Sequence, residues 1–226
     1  MKLRALGCPH CGAPISVAWT LCRYCAAPLL ARAQLDLEAD DRRTVVDFTT
    51  GVTPHELTPG RYPEVTIERG IGMRFTLAPG ASSRLFAARP FKDGSARVEG
   101  LVLDPDAGIE VGLRVTEAGQ ARMGYLLKVR PALGEITVVR YATLKDAPVY
   151  NEVILPWTKA RTLRTIGEVN RIELLAADSM LQARINDVIA ARLDDPRFGY
   201  GVPVYGASSL GQQARVTLRR FEHGMI

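Results

Sequence analysis

The sequence predicts a mainly β protein, a sandwich or barrel of short strands behind a small N-terminal cysteine unit. Three observations lead there. Apolar and polar residues alternate through much of residues 44–226. Turn-forming residues interrupt that alternation at short intervals. All four cysteines lie within residues 8–25, as two C-x2-C pairs separated by ten residues.

The cysteine unit reads Cys8-Pro9-His10-Cys11-Gly12 and then Cys22-Arg23-Tyr24-Cys25. Two residues between paired cysteines let both sulfurs reach one ion from a tight turn. Gly12 supplies the positive φ that such a turn often needs. Two facing turns deliver four thiolates in a tetrahedron, a closed shell with no position left for a substrate. The spacing therefore predicts one structural zinc held by Cys8, Cys11, Cys22 and Cys25. The metal replaces the core that a unit of about 30 residues is too small to build. A redox dithiol is the competing reading of the same cysteines. His10 is expected to be exposed, and Trp19 and Leu21 to cover the unit's small apolar face. Residues 6–30 resemble the zinc-ribbon family in its C-P-x-C-G form. The second knuckle departs from that form, because Ala26 stands where the family has glycine.

Composition is that of an average globular protein, at 47% hydrophobic and 23% charged. The net charge of +5 is uneven. Residues 1–33 hold Lys2, Arg4, Arg23 and Arg32 and no acid, whereas residues 34–226 hold 25 basic and 24 acidic side chains. A nucleic-acid role would rest on that basic unit, with Tyr24 and Trp19 available to stack on bases. The dense basic stripe of a nucleic-acid binder is missing. No apolar run approaches the ~18 residues that span a bilayer. Met1-Lys2-Leu3-Arg4 leads into Cys8 and Pro9 instead of an apolar signal core. The expected compartment is the cytoplasm, where thiols stay reduced and metal binding is favoured over disulfides.

Residues 31–43 lose apolar content and gain charge toward Asp40-Asp41-Arg42-Arg43, which reads as a linker. The expected organisation is a ribbon at 1–30, a linker at 31–43 and a sandwich at 44–226. In the sandwich, Ile109, Val111, Leu113 and Val115 alternate with Glu110, Gly112, Arg114 and Thr116. Met123, Tyr125, Leu127 and Val129 alternate with Gly124, Leu126, Lys128 and Arg130. Val65-Ile67, Met73-Phe75-Leu77, Val98-Val102, Ile136-Val138 and Val216-Leu218 behave similarly. A period of two marks strands with one buried face. Turns are expected at 78–80, 92–94, 104–106 and 117–119, and Asn186-Asp187 fits a two-residue hairpin. Roughly a dozen short strands at this spacing suggest a sandwich or barrel.

The order of these segments resembles the concanavalin A-like, or laminin-G-like, jelly-roll domains. The residues that carry the likeness are Gly124-Tyr125, Leu155-Pro156-Trp157, Asn170-Arg171-Ile172-Glu173-Leu174 and Ile185-Asn186-Asp187. Phe198, Gly199 and Gly201 then precede a last strand from Ala214 to Phe221. Asp187 stands where the family's turn has glycine. The resemblance covers roughly residues 90–222 and implies two antiparallel sheets with one outer face open to a ligand. Such domains serve as lectins, glycosidases or protein-binding modules, so the fold does not choose among them.

The reading favoured by the residues is a noncatalytic interaction or scaffold protein whose sandwich binds a protein or a glycan. A carbohydrate-active enzyme is the first alternative, but it needs two carboxylates flanking the scissile bond. No E-x-D-x-x-E strand occurs, and Glu110 and Glu173 stand as single strand acids expected to be solvated. Action on nucleic acid through the basic ribbon is the second alternative. Candidate ligand residues are Arg114, Lys128, Arg130 and Tyr141 on the outward parity of the central strands, with Tyr150 and Trp157 on a neighbouring loop. Segment 198–206 reads as a glycine-bearing turn and strand, or as a mobile binding loop. Asp104, Asp106, Asp194 and Asp195 keep calcium open, with no spacing that defines a site.

Overall fold

Alternating side chains leave each strand with an apolar edge to bury, and this chain buries it by stacking two sheets. The computed structural model describes residues 43–51, 64–87, 89–118, 121–144 and 150–225. The ribbon at 1–30, with its four cysteines, and the linker up to residue 42 lie outside the described residues.

The strands are β1 (Thr44–Asp47), β2 (Val65–Glu68), β3 (Gly72–Leu77), β4 (Ser82–Phe86), β5 (Gly94–Val102), β6 (Ala107–Ala118) and β7 (Ala121–Arg130). They continue as β8 (Glu135–Leu144), β9 (Tyr150–Lys159), β10 (Asn170–Ala177), β11 (Met180–Ile185), β12 (Val188–Asp194), β13 (Val202–Ser209) and β14 (Ala214–Met225). One sheet runs β12-β11-β10-β5-β14-β3-β2, with β1 also paired to β14. The other runs β4-β13-β6-β7-β8-β9. Every pairing between these strands is antiparallel. The expected two-sheet antiparallel sandwich is the fold observed. Among the described residues no helix is long and apolar enough to cross a membrane.

The inner faces supply the core. Met73, Phe75, Val98, Ile172, Leu174, Val216, Leu218 and Phe221 come from the first sheet, and Ile109, Val111, Leu113, Tyr125, Leu127, Val138 and Tyr205 from the second. Most of these follow the apolar parities read from the sequence, and the departure lies near the β6–β7 bulge. The register of β6 on β7 shifts between Leu113 and Thr116, and Arg114 takes a positive φ of 54°. An extra residue in one strand reverses the facing of the residues beyond it. Val115, expected beside Leu113 in the core, instead joins Leu126, Val139, Tyr141 and Val204 in a second apolar cluster.

The bulge also removes Arg114 from the outward face. Its guanidinium is fully buried. Nε donates to the Lys92 carbonyl at 2.9 Å, one terminal nitrogen to the Phe198 carbonyl at 2.9 Å, and the other to Asp93 Oδ1 at 3.1 Å. Because Asp93 leads into β5 of the other sheet, Arg114 ties the two layers together at one rim. Asp195 makes a second tie there. Its carboxylate accepts from the Tyr125 hydroxyl at 2.9 Å, Arg140 Nε at 2.7 Å and the Arg197 N–H at 3.0 Å. Burial, reinforced by this carboxylate against the opposing Phe198 N–H, pushes the Tyr125 phenol up to about 12.

The Asn186-Asp187 hairpin forms as expected between Ile185 and Val188. Both turn residues have positive φ, 52° and 68°, the pair of left-handed conformations required by the two-residue turn that matches strand twist. Asn186 also closes the edge of the sheet. Its Oδ1 accepts from the Arg171 N–H at 2.8 Å, and its Nδ2 donates to the Thr162 carbonyl and to Asn170 Oδ1. Segment 198–206 resolves to its strand reading, since Val202–Ser209 pairs with both β4 and β6. Gly201, at φ 154°, approaches β6 so closely that a Cβ would sit 2.5 Å from the Arg114 carbonyl carbon and the Val115 oxygen.

Leu155-Pro156-Trp157 lies on β9, not on a loop. Proline is tolerated because β9 is an edge strand paired only with β8, so its missing N–H costs no ladder bond.

Candidate functional site

On the outer face of the six-stranded sheet, Arg84, Gly206, Glu110, Lys128 and Thr137 are register partners across β4, β13, β6, β7 and β8. Gly206 has no side chain, so the Arg84 guanidinium can cross over β13. Arg84 Nε meets Glu110 Oε2 at 2.5 Å. From the other side, Lys128 Nζ lies 3.7 Å from Glu110 Oε1. Glu110 is therefore not the solvated strand glutamate expected from sequence. It is fully buried, and Oε1 has no hydrogen-bond partner among the described residues. Burial alone would raise its pKa. The neighbouring Arg84 and Lys128 cations outweigh that and hold the carboxyl below its ordinary range.

This row floors a cavity of about 340 Å³, whose lining includes Arg84, Glu110, Lys128, Arg130, Asn151 and Trp157. At its side the Arg130 guanidinium lies 3.6 Å from the centre of the Trp157 ring, a cation–π stack. Trp157 remains 37% exposed. Three of the sequence-predicted ligand residues, Lys128, Arg130 and Trp157, thus converge on one cavity.

The other three do not. Arg114 belongs to the rim tie. Tyr141 keeps its outward parity but is buried among Val115, Leu126, Val139 and Val204, with the Arg84 guanidinium 5.5 Å from its ring centre. Enough apolar side chains share that face to close over it. Tyr150 begins β9, and its side chain lies outside the described residues. Sequence reasoning misses two further residues. It marks Glu110 only as a lone acid, and it gives no sign of Arg84, which lies on a five-residue strand. Strand pairing alone reveals that a glycine separates them.

Glu173 on the opposite sheet is likewise buried, not solvated, with Arg97 at 3.2 Å and Arg184 at 3.7 Å. Of the four aspartates that kept calcium open, Asp104 accepts three hydrogen bonds from Arg215, and Asp195 is engaged at the rim. Among the described residues no group of three or more His, Cys, Asp or Glu is placed to hold a metal ion.

No family model and no curated protein sequence matches this chain. Solved structures do. The apo form of Crh5 transglycosylase superposes with a TM-score of 0.56 at 12% identity, over 81% of this chain and 84% of that one. A prokaryotic β-1,3-1,4-glucanase (lichenase) from a mouse hindgut metagenome gives 0.55 at 10% identity, over 82% of this chain and all of the other. The carbohydrate-binding module CBM66 from Bacillus subtilis gives 0.50 at 13% identity, over 66% and 83%. At such identities the shared property is the fold, and this chain is a jelly-roll β-sandwich.

Proposed function

We propose that the protein is a noncatalytic binding protein whose sandwich takes a glycan in the cavity floored by Glu110. The observation that carries this reading is the Glu110 carboxylate: buried at the cavity floor, ionised, and with Oε1 accepting no hydrogen bond among the described residues although the Lys128 ammonium stands 3.7 Å away. Such an oxygen is a strong acceptor for a sugar hydroxyl, and a charge-assisted hydrogen bond of this kind contributes about 1.5–3 kcal/mol. Trp157 stands beside it and holds the Arg130 guanidinium over its ring, a donor placed at the cavity side. The carbohydrate-binding module and the glycanases sharing the fold add support at the level of architecture alone.

Glycoside hydrolysis fits this site poorly. It needs a second carboxyl at about 5–9.5 Å and a general acid with raised pKa. Glu110 is the one carboxylate among the cavity's described lining residues, and its pKa is lowered.

Glu110→Gln keeps the shape and removes the charge, so it is expected to weaken glycan binding at least about tenfold. Trp157→Ala, at a half-exposed edge position, should weaken it while leaving the melting temperature nearly unchanged. Calorimetric titration of both variants, with thermal melts as a folding control, checks this. Unchanged affinity in both would refute the assignment of the cavity, and release of reducing sugar that Glu110→Gln abolishes would favour the enzyme reading.

We also propose that Cys8, Cys11, Cys22 and Cys25 hold one structural zinc, making the N-terminal unit a rigid docking knob for a protein partner. The support is the C-x2-C spacing. Metal analysis of the full chain should return one zinc per molecule. Cys22→Ser should lose it while the sandwich melts as before, because a ribbon closed by its own metal folds separately. A zinc-free wild-type protein would overturn this.

A further inference from the structure

We infer that the glycan taken in this cavity is acidic, carrying carboxylates as in a uronate polymer; this rests on the glycan reading above. The charge of the lining points there. Arg84, Lys128 and Arg130 supply three cations, and Glu110 supplies one carboxylate. Asp106 and Glu135 reach Arg130 only electrostatically from outside that lining, and Glu135 is itself paired with Lys159 at 3.1 Å. The enclosed surface therefore has more positive charge than its own acid can balance.

Geometry makes the excess specific. Glu110 is already shared between Arg84 at 2.5 Å and Lys128 at 3.7 Å, and 3.7 Å is too long for a hydrogen bond. The Lys128 ammonium is thus left with donors to spare. Arg130 Nε is buried without a hydrogen-bond partner among the described residues. Both side chains carry the same signature. Burial drives the Lys128 pKa down, with Arg84 and Arg130 adding to the effect and Glu110 opposing it. Burial likewise lowers Arg130. A carboxylate placed between them would relieve both.

The aromatic platform agrees. A neutral-sugar site stacks a ring on a free indole, but the indole of Trp157 carries Arg130 over it at 3.6 Å. What that pair presents to the cavity is a guanidinium held in place by its own aromatic partner. A planar guanidinium so held matches a carboxylate. An acidic sugar then uses both ends of the site, its carboxylate on Arg130 and Lys128 and a hydroxyl on Glu110 Oε1.

The test titrates the full chain with trigalacturonate, with laminaritriose and cellotriose as neutral probes, and with inorganic phosphate as a bare anion. Trigalacturonate should bind. Its affinity should drop about tenfold in Lys128→Met and fall further as salt rises from about 0.05 to 0.5 M, while the neutral sugars bind at least about tenfold more weakly. Tight binding of a neutral sugar, indifferent to Lys128→Met and to salt, overturns the acidic assignment and leaves the glycan reading standing. Phosphate binding as tight as trigalacturonate also overturns it, because the sugar ring would then contribute nothing. If no sugar of either class binds, the glycan reading falls with it. Arg130→Lys separates charge from stacking: it should lose trigalacturonate affinity although the charge is kept, and full retention counts against the guanidinium contact.

Discussion

Replacing Arg114 with alanine is expected to destabilise the sandwich by about 3–5 kcal/mol, the range for breaking a buried charged network. Three acceptors lose their donor at once: the carbonyls of Lys92 and Phe198, and Asp93 Oδ1. The two carbonyls belong to segments of separate connections, so no local rearrangement can pair them with one another. The removed side chain also leaves a void in a region where Arg114 is among the largest fully buried groups. Lysine should rescue only part of the loss, since one ammonium on a flexible stem cannot reproduce a planar fork with three separate targets. Urea unfolding of the wild type, Arg114→Ala and Arg114→Lys measures both effects. A loss under about 1 kcal/mol for the alanine variant would mean that the rim does not depend on this tie.

Asp195→Ala should cost about 3 kcal/mol. The Tyr125 hydroxyl and the Arg197 N–H would lose their carboxylate acceptor, while Arg140 would keep Glu152 as a partner. This partial compensation places the loss near the low end of that range. The tie also has a predictable pH dependence. Burial by itself would raise the Asp195 pKa. The hydrogen bonds from the Arg197 N–H, Arg140 and Tyr125 outweigh burial and leave it below the ordinary value. A carboxyl with a depressed folded pKa stabilises fully above its unfolded value of about 3.9, and the contribution disappears as pH falls through the lower folded value. Glu110 shifts in the same direction and adds to the same acid limb. Wild-type stability should therefore drop from about pH 5 downward, and Asp195→Ala should flatten that drop. Unfolding free energies measured between pH 7 and pH 3 check it, and parallel wild-type and variant curves would remove Asp195 from the acid response.

Period-two alternation is enough to place most strands, because a sandwich strand has one buried face whatever its neighbours are. Met73-Phe75-Leu77 and Ile109-Val111-Leu113 point inward as read. The Asn186-Asp187 turn is equally local: two residues that tolerate positive φ sit between two apolar runs. That Lys128 and Arg130 face the cavity is legible because parity alone sets their facing, whereas Trp157 reaches it from the edge strand β9 and not from the loop expected. The cysteine spacing predicts zinc from residue chemistry alone, and that expectation awaits the metal measurement.

The sequence by itself determined the fold class and the parity of most strands, since each depends on residues close together in the chain. Tertiary structure decided the rest. A single bulge at Arg114 turned Val115 out of the core and carried a candidate ligand residue into the rim, an event that a strict alternation cannot anticipate. Glu110 became a buried anion only because Gly206, on a strand more than ninety residues away, lets Arg84 reach it. Pairing across strands brings such residues together, and the energy of a charge depends on those neighbours and on the water they exclude. A linear sequence lists charges; register and burial decide which of them are solvated and which make a site.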